Sequence, residues 1–196
     1  MSNHLGNKME FIDKKTIKLD KIPTLLDEFV IDFTKILQKH AKYVIVSGYV
    51  SILFGRSRAT EDIDIIVEKM SKNKFYNFYS DLQKNGYWCV NIESKDEILR
   101  MLLDGFAVRL AKKRNIIPNV EFKFVKNSVE KHAIKTNLDV IMPIGKIKIS
   151  NIELQIAYKE KILKSDKDLE DAKHLEMVFK DKINNRLLEK YRKMLE

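Results

Sequence analysis

Asp62-Ile63-Asp64 is the part of this sequence best suited to chemistry. Side chains alternate between the faces of a strand. The two carboxylates therefore point one way, and Ile63, Ile65 and Val67 point the other, into a core. Carboxylates side by side repel each other unless cations sit between them. The pair is thus a natural ligand set for Mg²⁺ (or Mn²⁺), a hard ion that also bridges substrate phosphates. Two such ions can hold the attacking and leaving oxygens of a phosphoryl displacement. A site of this kind needs a third carboxylate from a neighbouring strand, and Glu121 is the best candidate. In Val120-Glu121-Phe122-Lys123-Phe124 the valine and phenylalanines share one face, and Glu121 lies opposite with Lys123. Asp139 is a second candidate. Taken alone, the aspartates also fit a solvated strand face, and Glu121 fits a charged residue on a half-buried strand.

Ser47-Gly48 stands upstream, where a short apolar run meets a short helix. A glycine there lets a phosphate approach the backbone, and the N–H groups of the next turn point at the anion. The plainer reading is a simple turn glycine. Arg56 and Arg58 are available to neutralise a triphosphate, and Thr60 stands just before the carboxylate strand. The order is strand, Gly48, short helix, Gly55, Arg58-Ala59-Thr60, then Asp62-Ile63-Asp64. It places a phosphate cradle and a metal site at the ends of adjacent strands, and the combination is more specific than any one part.

The elements that hold these residues follow from periodicity. Residues 22–40 carry a helical stripe (Ile22, Leu25, Leu26, Phe29, Val30, Phe33, Ile36, Leu37), with Pro23 in the first turn. Residues 43–47 and 61–68 read as strands, residues 49–54 as a short helix and 56–60 as a polar loop. Residues 71–85 form an aromatic-spaced helix ended by Gly86. Strands are expected at 87–91, 106–110 and 119–125, and helices at 95–104 and 129–135. A hairpin over 139–144 and 146–150 turns at Pro143-Ile144-Gly145. From Asn151 onward the pattern is helical, at 152–164, 167–179 and 182–195. The expected class is α+β: a mixed sheet with flanking helices and a helical C-terminal segment. Residues 1–20 read as a partly ordered polar lead-in, 21–150 as the core and 151–196 as helices packing on it.

The chain has 196 residues, enough for one domain with a substantial core. At 44% apolar and 33% charged, with three prolines and six glycines, it is neither disordered nor collagen-like. No run of about 18 apolar residues exists to span a membrane, and the N-terminus lacks a signal-peptide core. The single cysteine, Cys89, makes no internal disulfide and no cysteine-based zinc site, so a cytoplasmic protein is expected. The net charge is +9, and residues 106–150 alone carry 10 basic and 3 acidic groups. That concentration fits a polyanion partner, nucleic acid or nucleotide phosphate, and equally fits a solvated lysine-rich surface.

Together these residues resemble the nucleotidyltransferase superfamily, the polymerase-beta-like fold. The matching stretches are Val46-Ser47-Gly48, Gly55-Arg56-Ser57-Arg58-Ala59-Thr60 and Glu61-Asp62-Ile63-Asp64-Ile65. They are most similar to the minimal and AbiEii-type branches of prokaryotic toxin–antitoxin and phage-defence systems. Ile156-Ala157-Tyr158-Lys159 and Lys167-Asp168-Leu169-Glu170-Asp171-Ala172 are similar to that branch's helical segment. The resemblance spans roughly residues 43–179. It implies Asp62, Asp64 and Glu121 as catalytic Mg²⁺ ligands, Ser47 and Gly48 against nucleotide phosphates, and Lys159 reaching the nucleotide. It also implies an NTP substrate, with tRNA or other RNA, or a cognate toxin or antitoxin protein, as partner. Asp168 and Asp171 could instead be helix-surface charge or a structural pair with Arg58 or Lys159. Two departures from the pattern stand out: Ser47 replaces the first glycine, and the third acid is Glu rather than Asp. A non-catalytic module of the same fold, kept as antitoxin or partner subunit, is the alternative.

Overall fold

Short, alternating apolar segments assemble one mixed sheet in the computed structural model, which describes residues 8–196. Its strands in chain order are β1 (Lys8–Phe11), β2 (Thr16–Asp20), β3 (Tyr43–Val46), β4 (Asp62–Val67), β5 (Tyr87–Cys89), β6 (Val108–Lys112), β7 (Asn119–Phe124), β8 (Leu138–Met142) and β9 (Gly145–Ile149). They lie side by side as β1-β2-β8-β9-β3-β4-β7-β6-β5. The centre is β9-β3-β4-β7. There β3 runs antiparallel to β4, while β4 and β7 are parallel in the register Asp62–Asn119, Asp64–Glu121, Ile66–Lys123. The expected α+β class, with a mixed sheet and helices packed on it, is what the chain forms.

The helices are α1 (Leu25–Leu37), α2 (Gly48–Leu53), α3 (Lys72–Lys84), α4 (Lys95–Leu103), α5 (Ser128–Lys135), α6 (Ile152–Tyr158), α7 (Asp166–Val178) and α8 (Asn185–Met194). Seven begin at a Ser, Thr or Asn whose side chain accepts from the first turn. The exception is α2, whose preceding residue, Ser47, makes no such bond. A π-helical turn, Lys159–Leu163, prolongs α6 and ends at left-handed Lys164.

One sheet face buries the apolar set. Ile63, Ile65, Val120, Phe122 and Phe124 are buried there with α1 and α3. Phe122 stacks on Phe78 with ring centres 5.4 Å apart, and Phe33 meets Tyr87 edge-on at 5.3 Å. The alternation that sends these rings to one side leaves Asp62, Asp64 and Glu121 on the other.

Two expectations differ from the structure. The lead-in is not merely polar, since β1 and β2 form a hairpin and β2 pairs in parallel with β8. Ile17 and Leu19 are buried at that edge. Residues 1–7 of the lead-in lie outside the described residues. The helical stripe also starts later than expected. Thr24 caps α1 in a reciprocal capping box with Asp27, so Pro23 stands before the helix, and Ile22 and Leu25 face solvent. Asp27 is itself a buried hub, accepting from Lys21 and from the Tyr49 hydroxyl, each at 2.8 Å. No helix among the described residues is long and apolar enough to cross a membrane.

Candidate active site

The parallel pairing of β4 with β7 sets Asp64 directly beside Glu121. Both line a cavity of about 230 Å³. Its floor is the sheet (Val46, Asp64, Ile66, Glu121, Lys123), and its walls are α5 and α6. Burial, the largest cause, and then repulsion from Glu121 push the Asp64 carboxyl up to about 6, with Ser47 and Lys123 pulling the other way. Asp62 is half-buried, two residues back along the same face, paired with Asn119 and outside the cavity lining.

Among the described residues, no three His, Cys, Asp or Glu side chains are grouped closely enough to hold a metal ion by themselves. The donor set still fits a hard divalent cation. Asp64 and Glu121 offer two carboxylates whose mutual repulsion an ion between them would remove. Mg²⁺ is ordinarily held by one or two carboxylates, with water and substrate phosphate completing its shell. Asp139, the other candidate acid, is three strands away from β4 and outside the cavity lining. It is on β8 and pairs with Lys148 at 2.6 Å and Lys146 at 3.4 Å.

Ser47 turns the chain from β3 into α2 with φ 64° and ψ −138°, a conformation that favours glycine. Its N–H donates to the Gln155 Oε1 at 3.3 Å. Strain at such a residue costs about 1–3 kcal/mol. The entropy that glycine adds to the unfolded chain takes back about 0.5–1 kcal/mol of any relief. Ser47→Gly is therefore expected to stabilise the protein by roughly 1 kcal/mol, raising Tm by about 2–4 °C. Ser47→Ala, which keeps the strain and loses the hydroxyl, gives no such gain. Thermal melts of the two variants check this, and an alanine variant as stable as the glycine one would refute it.

The expected phosphate-binding cations are engaged elsewhere. Asp171 on α7 is fully buried and accepts from Arg58, from Arg56 Nε at 3.4 Å and from Lys159 Nζ at 2.9 Å. Lys159 is fully buried and also donates to Asp168 at 3.2 Å, while Arg56 pairs with Glu170. The pairing of Asp168 and Asp171 with Lys159, and of Asp171 with Arg58, raised from the sequence as one option, is therefore present. Gly48 does admit a close neighbour, but that neighbour is the Arg58 guanidinium, 3.0 Å from where a Cβ would stand. Thr60 donates from its hydroxyl to the carbonyl of Asp62 at 3.0 Å, bracing the start of β4. The structure thus brings Ser47, Asp64 and Glu121 to one cavity and gathers Arg56, Arg58 and Lys159 into an ion-pair cluster on α7.

The basic 106–150 segment is partly neutralised by acids. Lys112 pairs with Asp32 and Lys123 with Glu130, in addition to the two lysines on Asp139. Gln155, Ser150 and Tyr158 also line the cavity, and sequence reasoning did not single them out. The available signal was Gln155 itself, a polar residue between Leu154 and Ile156 in a helix buried throughout residues 152–157.

No protein-family model matches the sequence, and no curated protein gives a significant match. Among solved structures the chain is similar to an antigenic nucleotidyltransferase-like protein from Paracoccidioides brasiliensis. The identity is 16% over 83% of each chain, with a TM-score of 0.48.

Proposed function

We propose that this chain is a Mg²⁺-dependent nucleotidyltransferase that moves a nucleoside monophosphate from an NTP to a hydroxyl. The acceptor hydroxyl belongs to RNA, such as the 3′ end of tRNA, or to a partner protein in a toxin–antitoxin or defence setting. The observation that carries the reading is the pairing of Asp64 with Glu121 in one polar-edged cavity beside the Ser47-Gly48 turn. In the reaction, the acceptor oxygen bonds to the α-phosphorus as the α–β anhydride bond breaks and pyrophosphate departs. Glu121 takes the acceptor proton, and Asp62 and Asp64 fix the triphosphate side of the site. Bound Mg²⁺ would lower the acceptor hydroxyl's pKa and neutralise charge on the phosphate oxygens. Positioning and charge neutralisation provide most of the rate.

Label transfer tests this. The protein is incubated with each α-labelled NTP, Mg²⁺ or Mn²⁺, and total tRNA or a cell extract, with Asp64→Ala alongside. Label on RNA or on protein, absent with the mutant, supports the reading and identifies the acceptor class. Equal labelling by the mutant would sink it.

One observation favours a second reading, a non-catalytic binding module of the same fold. Arg56, Arg58 and Lys159 are already satisfied by Asp171 and its neighbours, and the Arg58 guanidinium occupies the space beside Gly48. Nucleotide binding without label in any combination would support that reading.

A further inference from the structure

The row of residues that holds Asp64 and Glu121 continues outward across the sheet. Asp64 on β4, Glu121 on β7 and Arg109 on β6 stand side by side. The next row is Asp62, Asn119, Ala111 and, on the edge strand β5, Trp88. Residues paired across strands share a face. Arg109 and Trp88 therefore lie on the face of the carboxylates, outside the cavity lining. The helices against β5 and β6 are α3 and α4, which also pack on each other. They belong to the opposite face, where Phe78 of α3 stacks on Phe122. On the carboxylate face Arg109 is exposed and Trp88 half-buried.

Trp88 is the one tryptophan of the chain. Its Nε1 donates to the carbonyls of Lys112 and Asn115, each at 3.2 Å, so the indole reaches across β6 and is held by its edge. Ala111, its cross-strand neighbour, is fully buried. A ring fixed in this way and still partly open is a platform on which a base can stack at little entropic cost. Cations stand around it. Residues 108–114 carry Arg109, Lys112, Lys113 and Arg114 and no acid. Lys112 pairs with Asp32 of α1. Arg109, Lys113 and Arg114 are exposed and make no ion pair among the described residues. One aromatic platform among unpaired cations is complementary to a strand that carries both bare bases and phosphates. A duplex hides its bases, and a protein partner would need a broader apolar area.

We infer that the β5–β6 wing of the sheet binds single-stranded nucleic acid, with a base stacked on Trp88 and a backbone phosphate on Arg109. The binding surface itself does not require catalysis. That the bound strand is the acceptor rests on the function proposed above. In that setting the order of the row is apt. Glu121 repels phosphate but accepts the proton of a neutral terminal hydroxyl, and the next position outward, Arg109, takes the phosphate of the same nucleotide.

The test titrates the full chain with a mixed-sequence RNA strand of about ten nucleotides, within the usual site size. DNA of the same sequence and the RNA duplex are run alongside. Tryptophan fluorescence reads stacking on Trp88 directly, and anisotropy of an end-labelled strand reads affinity. The single strands are expected to bind and to quench the fluorescence, and the tighter of RNA and DNA identifies the occupant. Trp88→Leu keeps an apolar cover and forfeits the stack, so it should bind about tenfold or more weakly. Trp88→Phe retains a stacking face and should recover much of that loss. Arg109→Gln, at an exposed position, is expected to fold. It should weaken binding and flatten the salt dependence by about 0.7 in the logarithmic slope, the loss of one phosphate contact to a single strand. Lys173→Gln, an equal loss of charge on the surface of α7, should bind as wild type. If neither strand binds the folded wild type, if the duplex binds equally well, or if Trp88→Leu and Arg109→Gln both bind as wild type, the inference is overturned. Label transfer to protein without binding of either strand would overturn it and leave nucleotidyl transfer standing. Trp88-dependent binding without any label transfer would support the surface and count against the proposed function.

Discussion

Asp64→Asn is expected to stabilise the metal-free protein at pH 8 while removing label transfer. The carboxyl is pushed up to about 6 in the folded chain, first by burial and then by Glu121, against an ordinary value of 3.8. Between about pH 4 and pH 6 the folded state therefore holds more protons than the unfolded state. Stability falls as pH rises through that window and levels off above it. Each unit corresponds to about 1.4 kcal/mol, so the charged carboxylate costs roughly 2–3 kcal/mol at pH 8. Asparagine keeps the shape and drops the charge. The expected gain is about 2 kcal/mol at pH 8, or roughly 4–8 °C in Tm, and it vanishes below about pH 4. Transfer should fall at least about 100-fold, the scale for losing one preorganised electrostatic group. Added Mg²⁺ should narrow the stability difference, because an ion that binds only folded wild type stabilises it. Denaturant titrations at pH 4 and pH 8 read the effect directly. A gain equal at both pH values, or a loss at pH 8, would remove Glu121 repulsion and burial as its cause.

Asp171→Ala is expected to be the most damaging single change outside the apolar core. The carboxylate is fully buried and answers three cations, one of which, Lys159, is fully buried as well. Removing it leaves Lys159 with only Asp168, at 3.2 Å, and Arg58 without its partner. Breaking a buried ion pair from one side costs about 3–5 kcal/mol, because the surviving charge stays desolvated. A Tm drop of about 10 °C follows. Asp168→Ala leaves the stronger contact in place and should cost about 1 kcal/mol. Lys159→Met added to Asp171→Ala should recover much of the loss, since the orphaned charge goes with its partner. If Asp171→Ala melted like Asp168→Ala, the cluster would not be structural.

The two-residue alternation in Val120-Glu121-Phe122-Lys123-Phe124 was readable because each strand declares its own faces. What no single strand declares is its neighbour. That Asp64 meets Glu121 depends on β4 and β7 pairing in parallel at one register, a long-range outcome. The commitment of Arg56, Arg58 and Lys159 to Asp171 was partly hidden for the same reason, since it joins the loop before β4 to a helix far along the chain. The N-terminal hairpin escaped because only Ile17 and Leu19 mark β2 as buried among lysines and aspartates. The stripe at residues 22–40 ran too far because hydrophobic spacing continues through Ile22, whereas the Thr24 cap decides where α1 begins.

The strand order also governs when the site can exist as the chain leaves the ribosome. The first cavity residues made are Val46, Ser47 and Asp64, and they cannot enclose anything until Glu121 arrives beside Asp64. The closing wall, from Ser150 to Leu163, is synthesised later still. The hairpin at residues 8–20 must also wait, because β2 docks on β8, which comes far downstream. Such distant pairings make folding slow and leave strand edges open in the interim. A nascent chain interrupted before α6 would therefore present a carboxylate-bearing sheet without a pocket.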